Sequence, residues 1–277
     1  MELGVLGAGN MGQALVRGAL AAGLASPSQV IASSLDGDTL RAFAAETGIR
    51  AAASNREVVE AARVLLLAVK PQQAGEVLDS VAGLIGPHHL VVSIAAGLTT
   101  RLLEAHLPEG TPVVRVMPNT PSLVGAGAAA WCLGSAATAE HGAQAARLLE
   151  AVGEARAVDE GLMDAVTAVS GSGPAYVFLM VEAMTRAGVA AGLDPELAAA
   201  LVRQTVLGAA RMVAETGVAP SELRRRVTSP GGTTAAAIAV FEGGGFEELV
   251  RDAVLAARER GAALAREAAD RDGGGTS

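Results

Sequence analysis

The chain has 277 residues, a length that suits two domains or one large one. A formal net charge of −8 argues against nucleic-acid binding through a basic surface, and the one basic run, Arg224-Arg225-Arg226, reads as a solvated helix face. Cys132 is the single cysteine, so neither an internal disulfide nor a cysteine metal cluster is available. No HExxH or comparable spacing points to a metal. The first residues lack a basic segment followed by a long apolar one, and no uncharged stretch reads as a membrane span, so a cytoplasmic protein without a membrane partner is expected.

The first half alternates strand-like and helix-like segments. Residues 3–6 form a short apolar run that ends in glycine, and residues 11–22 have helical spacing up to Gly23. A second strand is expected at 30–33 and a helix at 36–47, stopped by Gly48. Residues 63–69 contain the continuous run Val64-Leu65-Leu66-Leu67-Ala68-Val69, which suits a strand buried on both faces of a parallel sheet. The pattern repeats at 90–94 and 113–117; Pro71 and Pro118 close two of these strands. Late strands are expected at 126–133 and 155–158, with a helix at 139–152 between them.

Strands alternating with helices predict βαβ units and a doubly wound α/β sheet, a Rossmann domain over residues 1–159. Beyond it the strand-like runs stop. Helices are expected at 174–191, 195–215, 221–227, 233–241 and 246–269, giving an all-α domain over 160–270 and a Gly-rich, disordered tail at 271–277.

The motif Gly7-Ala8-Gly9-Asn10-Met11-Gly12 follows the first strand and opens the first helix. Gly7 permits the turn, Gly9 lets a pyrophosphate approach the backbone, and Gly12 lets the helix pack on the sheet. The helix start then offers free N–H groups to phosphates. At the end of the second strand, an NAD site usually has an acid for the ribose. Here Ser33 and Ser34 tolerate a 2′-phosphate, with Arg41 a turn further on, while Asp36 argues for NAD; NADP is favoured and NAD stays open.

Lys70 is the only lysine, placed at the carboxyl edge where doubly wound sheets bind ligands. Three further segments read as lying at strand ends: Val92-Ser93-Ile94-Ala95-Ala96-Gly97, Arg115-Val116-Met117-Pro118-Asn119-Thr120-Pro121 and Ser170-Gly171-Ser172-Gly173-Pro174-Ala175-Tyr176. Each also reads as an ordinary turn and helix cap. Thr228-Ser229-Pro230-Gly231-Gly232-Thr233-Thr234 combines hydroxyls, two glycines and a helix start, which suits a small carboxylate carrying a polar ring atom. None of His88, His89, His106 and His141 falls in these loops, although alcohol dehydrogenases commonly use a His or Lys base.

Taken together, the motifs at Gly7–Gly12, Ala68-Val69-Lys70-Pro71, 92–97, 115–121, 170–176 and 229–234 resemble those of the pyrroline-5-carboxylate reductase family, in order and spacing, over residues 1 to about 270. That resemblance implies an oxidoreductase that transfers a hydride from NAD(P)H to the C=N carbon of 1-pyrroline-5-carboxylate, giving L-proline in the last step of proline biosynthesis. It implies a Rossmann domain followed by a helical dimerisation domain, an active site shared between subunits, and a homodimer that can assemble into decamers. It places Gly7, Ala8, Gly9, Asn10 and Met11 on the pyrophosphate, and Ser33, Ser34 and Asn55 near the adenosine. It places Ala68, Val69, Lys70, Pro71, Ala95, Ala96 and Asn119 on the nicotinamide side. Ser229, Gly232, Thr233 and Thr234 would bind the substrate carboxylate, with the Thr234 hydroxyl near the ring nitrogen as the catalytic group. Many members carry Arg beside the second-strand serine, where this chain has Leu35. Two rivals are weaker. A β-hydroxyacid dehydrogenase needs a catalytic lysine four residues after Gly173, where this chain has Val177; a non-catalytic NADP sensor leaves the loop Ser229 to Thr234 without a purpose.

Overall fold

Four strands consist of four residues each, every one buried: β1 (Leu3–Leu6), β2 (Val30–Ser33), β4 (Val64–Leu67) and β5 (Leu90–Ser93). A strand buried on both faces has to lie inside a sheet covered on both sides. With β3 (Arg50–Ala51), β6 (Val113–Met117), β7 (Gly127–Leu133) and β8 (Gly153–Ala157), they form one sheet in the order β3-β2-β1-β4-β5-β6-β7-β8. All neighbours are parallel except β6 and β7. The winding reverses between β1 and β4, and the carboxyl ends of those two strands mark the crevice where such sheets bind ligands. The structure is a computed structural model and describes residues 1–273.

Alternation along each strand fills both faces. Val5, Leu66, Val92 and Val116 pack on one side with Leu15 of α1 (Asn10–Ala21), Phe43 of α2 (Gly37–Thr47) and Leu148 of α6 (Ala139–Glu150). Leu6, Leu65, Leu67 and Val91 pack on the other with Val58 of α3 (Asn55–Ala61), Leu78 of α4 (Pro71–Val81) and Leu103 of α5 (Thr100–Ala105). The sequence reading did not single out α3, α4 or α5, each of 11 residues or fewer. Pro71, expected to close a strand, also opens α4 at its first position, where a missing N–H costs least. The last strand begins two residues earlier than expected, because Gly153 lies so close to Gly127 that a Cβ there would overlap the Gly127 backbone.

By packing the chain divides into two compact units. One holds residues 1–172 and 257–273; the other is Gly173–Ala256. Residues 160–172, expected with the helical half, pack with the sheet: Met163 of α7 (Met163–Val166) is fully buried beside Ala130 and Cys132. Ser170 and Gly171, expected at a strand end, belong instead to a π-helical turn, Thr167–Gly171. The second unit contains α8 (Gly173–Ala190), α9 (Pro195–Thr216), α10 (Pro220–Arg226), α11 (Thr233–Gly243) and the first turns of α12 (Phe246–Gly273). The expected disordered tail is corrected over residues 271–273, which continue α12; its remainder, 274–277, lies outside the described residues.

The second unit buries almost nothing by itself. Among the described residues, only Ala198 and Val202 in it are buried, while Phe178, Leu179, Val240 and Leu249 are all more than half exposed. One helix, α9, is long and apolar enough by length and composition to cross a membrane, although it carries Glu196, Arg203, Arg211 and Glu215. An apolar surface of this extent calls for a partner.

Leu66→Ala tests the sheet core. The side chain is fully buried, and its removal is expected to lower unfolding free energy by about 2–5 kcal/mol in denaturant titrations at fixed protein concentration. A loss below about 0.5 kcal/mol would contradict the packing described.

Candidate active site

The glycine loop is fixed by backbone bonds rather than by side chains. Gly7 N and Ala8 N both donate to the carbonyl of Ser33 at the end of β2, at 3.1 and 2.8 Å. Gly7 has φ +91°, and a Cβ on it would press on Val69 Cγ1. Glycine adopts that left-handed conformation without penalty. A Cβ on Gly12 would lie 3.1 Å from Ala68 Cβ, so glycine there lets α1 close on the end of β4. Gly9 is different: a Cβ there would meet nothing within 4 Å. It is also the N-cap of α1, with no side-chain cap, and the first turn carries no acidic residue. The first N–H groups of α1 are thus open to an anion. Gln13 Nε2 donates to Ala8 O at 3.0 Å and stiffens the loop from within.

The residues expected near the adenosine come together. The buried Ser33 hydroxyl donates to Asn55 Oδ1 at 2.6 Å, which leaves the Asn55 amide hydrogens for other partners. Ser34 Oγ accepts from Asp36 N. Asp36, read from sequence as an argument for NAD, is the cap of α2. Its carboxylate accepts from the Thr39 hydroxyl (2.6 Å), Thr39 N (3.0 Å) and Asp38 N (3.1 Å). The Thr39 hydroxyl, followed by the backbone bonds, holds this carboxyl below its usual range. Arg41, expected to supply charge, is paired with Asp38. Leu35 stands 92% exposed between Ser34 and Asp36.

On the other side of the crevice, Ala68 N donates to Leu6 O at 2.9 Å, which holds residues 68–70 beside the glycine loop. Exposed Lys70 is the N-cap residue of α4 and offers no side-chain cap. The next turn starts from β5: Ile94 N donates to Leu67 O at 3.1 Å, Ala95 is buried and Ala96 is exposed. Asn119 is buried, and its amide already works on both sides. Oδ1 accepts from Ala128 N at 2.8 Å and Nδ2 donates to Ser170 O at 3.1 Å, which leaves one hydrogen free for a ligand.

Sequence reasoning missed one cluster. Arg115 lies inside β6 with its side chain 7% exposed, and its Nη1 donates to Glu160 Oε1 at 3.0 Å. Glu160 also accepts from Thr100 N and Thr100 Oγ1, each at 2.7 Å. Burial works to raise this carboxyl and is outweighed by the Thr100 hydrogen bonds and Arg115, so it sits below the usual range. The stabilisation it gives is present above the ordinary carboxylate range and is lost as pH falls through its lowered value. Burial first, then Glu160, pushes the neighbouring Cys132 thiol up to about 11, so it stays protonated and inert at neutral pH. The only sequence signal was a charge in the otherwise apolar strand Val113-Val114-Arg115-Val116-Met117.

The four histidines serve the fold. His89 bonds Gly86 N and the Val59 carbonyl, His88 stacks on His89, His106 meets Asp79, and His141 caps α6. No group of three or more potential metal ligands occurs among the described residues. A groove of 580 Å³ is lined by α4, α5 and the end of α12, and Pro71 is the one residue expected at the cofactor that reaches it.

In the second unit, the loop before α11 repeats the device of the first. Gly231 has φ +71°, Gly232 N donates to Ser229 O at 3.0 Å, and Gly232 caps α11 without a side-chain bond. Thr233 and half-buried Thr234 therefore stand in an open first turn, with free N–H groups and hydroxyls in adjacent residues.

A Rossmann unit with an open phosphate-type helix start, joined to a helical unit with a second one, defines a dinucleotide-dependent oxidoreductase. Residues 160–264 match the pyrroline-5-carboxylate reductase dimerisation family, and residues 2–97 match the family of NADP oxidoreductases, coenzyme F420-dependent. A pyrroline-5-carboxylate reductase of Pseudomonas aeruginosa is 47% identical over 96% of this chain and 97% of its own. One from Glycine max is 43% identical over 93% and 94%. The solved reductase of Coxiella burnetii superposes with a TM-score of 0.90 at 39% identity, over 95% of this chain and 98% of that one. A Plasmodium falciparum pyrroline carboxylate reductase with NADP bound gives 0.85 at 32%, over 96% and 98%. The chain belongs to the pyrroline-5-carboxylate reductase family, oxidoreductases of proline biosynthesis. Its helical unit is the family's dimerisation domain, so a second copy is the partner that its exposed apolar helices, α9 included, call for.

The glycine loop gives a two-sided test. Gly9→Ala should leave the thermal midpoint unchanged and weaken NADPH binding about tenfold or more, because the new methyl stands where phosphate approaches. Gly7→Ala should instead lower the midpoint, since φ +91° and Val69 both oppose it. Equal cofactor affinity in Gly9→Ala and wild type would remove this loop from the phosphate site.

Proposed function

We propose that the two open helix starts divide the reaction between cofactor and substrate. The chain reduces 1-pyrroline-5-carboxylate to L-proline, with NADP as the dinucleotide and NAD as the less favoured alternative. Gly7, Ala8, Gly9, Asn10 and Met11 hold the pyrophosphate on α1. Ser33, Ser34 and Asn55 hold the adenosine end. Ala68, Val69, Lys70, Pro71, Ala95, Ala96 and Asn119 line the nicotinamide. The observation that carries the cofactor side is the uncapped start of α1 with open space at Gly9. The withdrawal of Asp36 into the α2 cap favours NADP over NAD, because that carboxylate is already bonded to its own helix.

When bound in its reduced form, the dinucleotide supplies the hydride. The protein's own residues do the rest. Backbone N–H groups at the start of α11, with the hydroxyls of Ser229, Thr233 and Thr234, hold the substrate carboxylate, and Gly232 lets it approach. Thr234 Oγ1 stands at the ring nitrogen and orients the imine. A protonated imine already accepts a hydride well, so catalysis rests on positioning rather than on a strong general base. That fits a chain whose four histidines are all tied to the fold.

The dimer is the building block of a decamer, a reading that rests on the family resemblance, and the cytoplasm is the setting expected from the sequence. Thr234→Ala should lower kcat about tenfold or more in steady-state assays, with the dissociation constant for NADPH unchanged. Turnover equal to wild type would remove Thr234 from the mechanism.

A further inference from the structure

We infer that Glu160 is a positioning residue, which fixes the turn carrying Ala95 and Ala96 and so sets the place of the nicotinamide. The inference rests on the reading of that turn as the nicotinamide side.

The turn leaves β5 and runs to α5. Its first end is held by the sheet, through Ile94 N on Leu67 O at 3.1 Å and Ala95 N on Ser93 Oγ at 3.3 Å. In its middle Gly97 has φ +79°, Ala96 is exposed and Leu98 is buried in the core. Its far end is Thr100, the first residue of α5. Glu160 grips that residue twice, at its backbone N–H and at its hydroxyl, both at 2.7 Å. The grip comes from a residue 60 positions away in the chain, so local turn chemistry does not supply it.

Glu160 is itself held on two sides. Arg115 bonds the carboxylate from β6, where it stands in register with Ser93, the last residue of β5. On the chain's own side, fully buried Met163 seats α7 against Ala130 and Cys132. One carboxylate therefore ties the end of the turn to the strand beside the one from which the turn starts. Each of its oxygens has a donor, and a charge pair with one buried and one half-buried partner is held to a narrow geometry by those hydrogen bonds. Hydride transfer is equally so, since a displacement of about 1 Å can cost about a hundredfold in rate.

Two variants of the full-length enzyme loosen the grip without emptying the site. Thr100→Val deletes one donor and keeps the backbone N–H. Glu160→Gln keeps the shape and removes the charge facing Arg115. The measurements are kcat, KM for pyrroline-5-carboxylate, the isotope effect on kcat with NADPH deuterated at the transferred position, and the thermal midpoint. In both variants kcat should fall about tenfold or more and the isotope effect should rise, with KM for the imine within about twofold of wild type. A lower midpoint with an unchanged isotope effect, or unchanged kinetics in both variants, would overturn the inference and leave Glu160 a structural ion pair. Ala96→Trp separates the two layers of the argument. If it abolishes cofactor binding while the other two variants behave as wild type, the turn is at the nicotinamide and Glu160 does not position it. If Ala96→Trp binds and turns over normally, the reading of the turn fails and this inference with it.

Discussion

The start of α1 is left without a side-chain cap, and much of the first unit works to keep it so. Most helices place Ser, Thr, Asp or Asn at this position; here Gly9 stands there and brings no acceptor. The unmet N–H groups are tolerable because they face open space, and useful because an anion completes them. Holding them in place requires the carbonyl of Ser33 on two loop amides, a left-handed Gly7 against Val69, and Gly12 against Ala68. Those contacts exist only because β2, β1 and β4 are adjacent and in register at their carboxyl ends. The helical unit uses the same economy at Gly232 and α11.

Carboxylates are used in the opposite way. Asp36 satisfies the start of α2, and Glu160 satisfies Thr100 and Arg115. Both stay ionised and are engaged with donors of their own chain. The chain thus separates helix starts completed by its own acids from those left for ligands. The helical unit imposes a further constraint. With two buried residues among those described in Gly173–Ala256, its stability cannot be separated from dimer formation or from protein concentration.

The sheet was legible because a strand buried on both faces has to be continuously apolar, and 64–67 and 90–92 are. The short helices α3, α4 and α5 were not: α3 and α5 have too few turns for a period to stand out, and α4 opens at the proline that reads as the end of a strand. The π-helical turn at Ser170 accepts a bond from Asn119, 51 residues away, a pairing that no local pattern encodes. The same holds for Glu160 and Arg115, 45 residues apart. Asp36 misled for a different reason: an acid after the second strand can serve a ribose or cap its own helix, and only geometry chooses. The glycine loop was readable because strand, turn and helix all follow in sequence. The substrate loop was readable as an open helix start, but its ligand came from resemblance to a family.

The central step of this chain's chemistry is hydride transfer to a cyclic imine. The most direct measurement is the loss of NADPH absorbance on adding 1-pyrroline-5-carboxylate to the purified dimer, compared with hydroxy-acid and keto-acid substrates under the same conditions. Rapid oxidation of NADPH is expected with the imine alone, with proline formed in equal amount. Tight NADPH binding without turnover, or turnover only with the hydroxy-acid or keto-acid substrates, would contradict it.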